Sequence, residues 1–260
     1  MKLGIIAPSH DENGVKRVAD LGLKWIEFDI NADDISYFNV DTVNSALDKY
    51  GVRTGAIGRW GRPRINKDGS INEKEQKDEF ALIDACRKLD CPVYITGINY
   101  VEEISLYDNY SSAIKYLASL QEYGGEDVRV ITYNCGWNNY IDKPAAWDIV
   151  NAHLGMGIKF DPSHTINGGR DYIDEAYRYG KLVGHIHLKG TVNIGGEHLD
   201  DPPAGLDMIN WGMLLSIFQK YGYDAMLSIE PHSYTWAGEL GERGLKYTID
   251  YFRSMPFVTE

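Results

Sequence analysis

The chain has 260 residues, 43% hydrophobic and 25% charged, which is enough apolar material for a large core without a disulfide or structural metal. Its formal net charge of −12 opposes phosphate-backbone binding, which relies on clustered Lys and Arg, so no nucleic-acid partner is expected. The opening MKLGIIAPSHDENG is too short in its apolar run for a signal peptide, and no stretch approaches a membrane span.

Short apolar runs recur along the chain at residues 2–7, 24–30, 52–57, 91–98, 128–133, 158–161, 182–188 and 225–230. Between them lie amphipathic stretches such as NVDTVNSALDKYG, EKEQKDEFALIDACRKLD and YSSAIKYLASLQEYG. Near-continuous apolar strands alternating with helices predict a parallel sheet covered by helices. Eight such units in this length predict an α/β fold, a closed (β/α)8 TIM barrel forming a single domain over residues 1–260. Cys86, Cys91 and Cys135 form no paired Cys-x-x-Cys pattern; Cys86 and Cys91 read as small buried hydrophobes, and a reducing cytoplasm is the expected location. The longest connection, KGTVNIGGEHLDDPPAGLDMINWG, follows the seventh run and reads as a lid or interface loop.

In a barrel of this kind, catalytic groups sit where strands end. The fifth run reaches Tyr133-Asn134-Cys135, the sixth Asp161-Pro162-Ser163-His164, and the eighth Glu230-Pro231-His232. The seventh carries His185 and His187 with Lys189 beyond; two residues apart, the two histidines share one face of the strand. Asp161, His187 and Glu230, on three consecutive strands, are a mixed N/O set suited to one divalent metal ion. Mn²⁺, Zn²⁺, Co²⁺, Fe²⁺ and Mg²⁺ remain open.

The order of FDPSH, GHIHLKG, PPAGLDMINW and YDAMLSIEPH, with MKLGI and LGLKWIEFD before them, resembles the xylose isomerase-like TIM-barrel family along essentially the whole chain. That family includes sugar phosphate isomerases and epimerases, ketose 3-epimerases, inosose dehydratase and endonuclease IV. By this resemblance Asp161, His187 and Glu230 are the metal ligands of strands six, seven and eight, and His164 contacts substrate. Strand five of the ketose epimerases supplies a Glu; here ITYNCGWNN stands in its place, with Asn134 the nearest fit and Tyr133 the other candidate. An amide coordinates a cation but cannot act as a base at neutral pH. Endonuclease IV carries a much richer histidine set, including histidines after strands three and four, where this chain has IGRW and GINY. The resemblance also implies a homodimer.

The expected chemistry is metal-assisted enolisation of a small sugar or keto-sugar, giving an isomer or epimer. The alternatives are a lyase or dehydratase acting through the same enediolate, and a non-catalytic sugar-binding protein. Glu230 is the expected base; His164, Lys189, Tyr133 or His232 would return the proton. Tyr133, Trp60, Trp137 and Trp236 are placed to pack on a sugar face, and His185 to contact the substrate. GRWGRPR, with Arg59, Arg62 and Arg64, reads either as an anion contact or as a solvated loop, and INGGRD as a weak anion cradle.

Overall fold

Each of the eight apolar runs forms a strand of one closed parallel barrel in the computed structural model, which describes residues 1–259. The barrel strands are β1 (Lys2–Ile6), β2 (Trp25–Asp29), β3 (Arg53–Gly58), β4 (Val93–Thr96), β5 (Arg129–Tyr133), β6 (Gly157–Phe160), β7 (Val183–Leu188) and β10 (Met226–Ile229). Two short strands, β8 (Val192–Ile194) and β9 (Glu197–Asp200), make an antiparallel hairpin inside the long connection after β7. Closure is made by β1, whose Ile5 lies opposite Ile26 of β2 on one side and Ile229 of β10 on the other. A closed sheet leaves no unpaired edge.

The connecting helices are α1 (Glu12–Asp20), α2 (Val40–Tyr50), α3 (Glu73–Lys88), α4 (Leu106–Gly124), α5 (Pro144–Leu154), α6 (Pro162–Asn167), α7 (Tyr172–Tyr179), α8 (Trp211–Lys220) and α9 (Gly238–Arg253). Most begin on a side chain that accepts from the first free N–H groups: Asp11, Asn39, Asn72, Ser105, Asp161, Asp171 and Asn210. Ile26, Phe28, Ile186 and Leu188 belong to the core between barrel and helices. No helix among the described residues is long and apolar enough to cross a membrane.

The lumen is filled in layers, as a barrel of this size requires. At its base Met226 packs so closely on β1 and β3 that a Cβ on Gly4 would lie 2.4 Å from its Cε, and one on Gly55 2.3 Å from its Sδ. Above it Ala56, Val93, Ile95 and Ile131 pack with Trp60 and Tyr133. Charged and polar side chains occupy the mouth.

Two sequence expectations are corrected here. GRWGRPR is neither a solvated loop nor an anion contact, because Arg59 and Arg64 are fully buried and Arg62 is paired with Asp33 at 2.5 Å and Glu75 at 3.3 Å. Arg64 bonds Glu79 at 2.8 Å, and Arg59 pairs with Glu75 while donating to the Ile30 carbonyl at 2.8 Å. Both partners lie on α3, so the two arginines fasten the β3 loop to that helix. In INGGRD, Arg170 bonds Glu175 at 2.6 Å, and Asp171 already caps α7 through the N–H groups of Ile173 and Asp174. A carboxylate fills the place an anion would need.

Candidate active site

Alternation along β2 and β7 decides what enters the lumen. Ile26 and Phe28 turn toward the helices, leaving Glu27 inside; Ile186 and Leu188 do the same for His185 and His187. Glu27, fully buried, reaches across the barrel. It accepts from His185 Nε2 at 2.8 Å and from His187 Nε2 at 2.9 Å. Burial alone would raise Glu27, but the charge of His187, then His185, holds it well below the usual carboxylate range. Burial lowers His185, and its Nδ1 makes no hydrogen bond among the described residues.

His187 is the hinge of the site. Its Nδ1 meets Glu230 Oε2 at 2.7 Å, so the ring lies between two carboxylates. Burial disfavours its charge, yet Glu27 and Glu230 push it up to about 9. Glu230 is itself held well below its ordinary value against burial, chiefly by His187 and then by Lys159 and Lys189.

Asp161 divides its two oxygens between structure and site. Oδ1 caps α6, accepting from the Ser163 N–H at 2.9 Å and the Ser163 hydroxyl at 2.6 Å. Oδ2 faces Lys159 Nζ at 3.5 Å and His164 Nε2 at 3.4 Å. Burial raises Asp161, but Lys159, His164 and Lys189 together keep it below its usual value. Burial also pushes His164 down to about 4, with Lys159 and Lys189 adding to the effect. Lys189, against the cost of burial, is raised by Asp161, Glu230 and Asp201 and stays an ammonium.

The donor atoms of Asp161, His187 and Glu230 all lie within 4.8 Å of one another. This set fits one divalent cation on chemical grounds. Glu27 secures Nε2 of His187, so Nδ1 is the nitrogen that, once it has released its proton, would offer its lone pair to a metal, and a carboxylate behind a histidine ligand is the usual orienting partner. Glu27, His185 and His187 form a second group as close, but it is buried and satisfied by its own hydrogen bonds, and it acts as the support.

A cavity of about 280 Å³ is lined by two of the three candidate ligands, His187 and Glu230, while Asp161 stays buried beside its lining residues Lys159 and His164. His164, Lys189, Trp60, Trp137 and His232 line it as the sequence predicted, together with His187 and Glu230. Trp137 is 59% exposed and lies so close over Gly61, where φ is +68°, that a Cβ there would come within 2.6 Å of the indole. His232 also bonds Asp201 at 3.1 Å.

Other expected residues do other work. Asn134 accepts from the Asp161 N–H at 3.0 Å and donates to the Asp161 carbonyl at 2.8 Å, so its amide ties the end of β5 to β6 and positions Asp161 instead of filling a fourth ligand position. Tyr133 is buried behind Trp60, ring centroids 4.3 Å apart, and its hydroxyl donates to the Trp137 carbonyl at 3.1 Å. It supports the aromatic wall and does not line the cavity. His185 likewise lies below the cavity floor, holding Glu27. Trp236 lines a neighbouring space.

Four residues with a place here had no role in the sequence reading. Glu27 and Asp29 sat inside KWIEFDI and Lys159 inside KFDPSH, all absorbed into apolar runs, although two-residue alternation in WIEFD was available as a signal. Asp29 lines the cavity; burial, then Glu27, raises its carboxyl well above the usual value. Lys159 stands 5.2 Å from the Trp60 ring centroid. Asp201 gathers His198 at 2.8 Å, His232 at 3.1 Å and Lys189 at 3.5 Å, fastening the hairpin connection to the cavity rim.

Solved structures share this fold at low sequence identity. A 3-keto-D-glucoside 4-epimerase from E. coli superposes with a TM-score of 0.77 at 12% identity, covering 98% of this chain and 100% of that one. A D-psicose 3-epimerase from Clostridium cellulolyticum H10 gives 0.73 at 15%, covering 97% and 98%. A probable 3-DHS dehydratase from Bacillus anthracis gives 0.73 at 13%, covering 98% and 99%. No curated protein sequence matches the chain. The sequence-family model described as xylose isomerase-like TIM barrel matches residues 15–255, and the chain belongs to that family.

Proposed function

We propose that this protein is a metal-dependent isomerase or epimerase of a sugar or keto-sugar. The observation that carries the reading is the meeting of Asp161, His187 and Glu230, the last two of which line a cavity walled by two tryptophans and two lysines. Asp161, His187 and Glu230 would hold a divalent ion, which would supply Lewis-acid polarisation of a sugar carbonyl. Trp60 and Trp137 offer apolar faces to the C–H side of a ring, while Lys159 and Lys189 offer charge to its oxygens.

Glu230 takes the proton from the carbon beside the carbonyl, being the cavity carboxylate that its neighbours keep ionised. His164, Lys189 and Asp29 face the same space and are placed to give a proton back. Return to the neighbouring carbon gives the isomer, and return to the opposite face gives the epimer. The epimerases of like fold support this direction of chemistry.

Elimination is the second reading. Strand five brings no carboxylate to the cavity, since Asn134 is committed to the Asp161 backbone, so the pairing of a strand-five carboxylate with Glu230 across a substrate is not supported. A lysine or carboxylic acid beside a departing oxygen suits a dehydratase, and one neighbour in fold is a probable dehydratase.

The test is product analysis by NMR after reconstitution with Mn²⁺, Co²⁺, Zn²⁺ or Mg²⁺ and incubation with a panel of ketohexoses and ring-keto sugars. A new epimer or isomer is expected. A product absorbing in the ultraviolet as an enone assigns elimination instead. Binding without any turnover or exchange refutes the enzymatic reading.

A further inference from the structure

Of the ionisable side chains that line the reaction cavity, Asp29 alone has no partner among the described residues. Glu230 bonds His187 at 2.7 Å, and His164 and Lys159 face Asp161 at 3.4 Å and 3.5 Å. His232 and Lys189 face Asp201 at 3.1 Å and 3.5 Å, and Cys135 accepts the Trp137 N–H at 3.4 Å. Asp29 Oδ1 is buried without a hydrogen bond, and no described residue bonds Oδ2. A carboxyl oxygen left so is costly, and a substrate oxygen bonded there removes the cost. Room for the group is built into the sheet. Asp29 pairs with Gly58 of β3, where a Cβ would lie 3.3 Å from Asp29 Oδ1 and 3.0 Å from the Trp60 indole.

Asp29 and Glu230 stand at the ends of β2 and β10, the two strands that flank β1, so both face the cavity from one side. On the opposite side of the barrel β5 brings only Asn134, already bonded to Asp161. Inverting a carbon calls for groups on both faces of it, whereas an acid beside a base suits proton transfers made from one side. The two carboxyls are also held in opposite states. Burial, then Glu27, raises Asp29 well above its usual value, while His187 and the two lysines hold Glu230 low against burial.

We infer that Asp29 is the catalytic acid of this cavity, passing a proton between two substrate oxygens while Glu230 carries the carbon proton, so that the reaction moves a carbonyl to the neighbouring carbon. This rests on the reading of the cavity as a sugar site and narrows it from isomerase or epimerase to isomerase. The step balances within the substrate and the two carboxyl groups. Glu230 takes the proton from the carbon beside the carbonyl, and the C–H electron pair becomes a carbon–carbon double bond. The carbonyl π pair takes the proton of Asp29, leaving an enediol. Asp29, now a carboxylate, then takes the proton from the other hydroxyl, whose O–H pair becomes the new carbonyl bond. The double-bond pair takes the proton of Glu230 at the former carbonyl carbon. Both carboxyl groups end as they began.

The test compares metal-loaded wild type and Asp29→Asn in D2O with D-fructose, D-tagatose, D-psicose and 2-keto-myo-inositol, each followed by NMR for label and for product. The wild type should form the isomer with a shifted carbonyl. Asparagine can bond a substrate oxygen but cannot pass it a proton, so isomer formation should fall about a hundredfold or more. Label should still enter the carbon beside the carbonyl within about tenfold of the wild-type rate, because Glu230 is untouched. Metal content and circular dichroism check that the variant is loaded and folded. Isomer formation within about threefold of the wild type in the loaded, folded variant, or an epimer as the main wild-type product, overturns the inference and leaves the sugar reading standing. Neither label nor product from the wild type with any of these sugars refutes the sugar reading and this inference with it.

Discussion

Replacing Glu27 by Gln isolates the support beneath the candidate metal ligands. The carboxylate accepts from His185 at 2.8 Å and from His187 at 2.9 Å, from the far side of the barrel. Glutamine keeps the length and shape but offers one oxygen and one NH2, so one imidazole N–H is left facing a donor. That unpaired buried group costs about 1–3 kcal/mol of stability. A second consequence is at Nδ1 of His187, whose orientation and basicity depend on the bond at Nε2. Loss of such an orienting carboxylate lowers metal affinity about ten- to hundredfold, which is about 1.4–2.8 kcal/mol. Asp161 and Glu230 are untouched, so the ligand set itself stays complete. Competition of the folded variant with a chelator for Mn²⁺ measures the change. Affinity within twofold of the wild type would refute the claim that Glu27 positions His187.

Three further outcomes are expected. Asn134→Ala should strand the buried N–H and carbonyl of Asp161, costing about 1–3 kcal/mol in urea unfolding, and should weaken metal binding; unchanged metal affinity would remove Asn134 from the positioning of Asp161. Arg64→Ala should cost about 3–5 kcal/mol because Glu79 is left charged in the core, whereas the double change Arg64→Met, Glu79→Leu should recover only part of it, since the Tyr116 and Thr96 hydroxyls then lose their acceptor; urea denaturation reads both. The hairpin connection should be held most firmly between about pH 4 and pH 6.5. Burial opposes ionisation of Asp201, yet its bond to His232 and the charge of Lys189 hold it at about 2, so its contribution is lost as pH falls from near 4 toward 2. Asp201 raises His232 above 6.5, so that contribution is lost as pH rises through the raised value. Hydrogen exchange over residues 192–200 should follow this window and lose it in Asp201→Asn.

What could be read from the chain divides along physical lines. All eight barrel strands were legible because a strand covered on one side by helices and on the other by lumen packing leaves a continuous apolar run. Asp161, His187 and Glu230 were legible because strand ends are where a barrel exposes polar groups, and their order matched a known pattern. The same logic concealed Glu27 and Lys159, which are charged residues inside apolar strands; the histidines across the lumen explain Glu27, and Asp161 and the Trp60 ring explain Lys159. Arg59 and Arg64 were misread because their carboxylates lie on α3, more than a helix turn beyond any local pattern. Asn134 looked like a weakened ligand in a linear reading, and the hydrogen bonds to Asp161 give it a different task.

The most direct test of the account is deuterium incorporation from D2O into a keto-sugar by the metal-reconstituted wild type and by Glu230→Gln. The wild type should label the carbon beside the carbonyl, and Glu230→Gln should slow labelling a hundredfold or more while largely retaining its metal. Labelling at the wild-type rate in Glu230→Gln, or none by the metal-loaded wild type with any sugar of the panel, would contradict it.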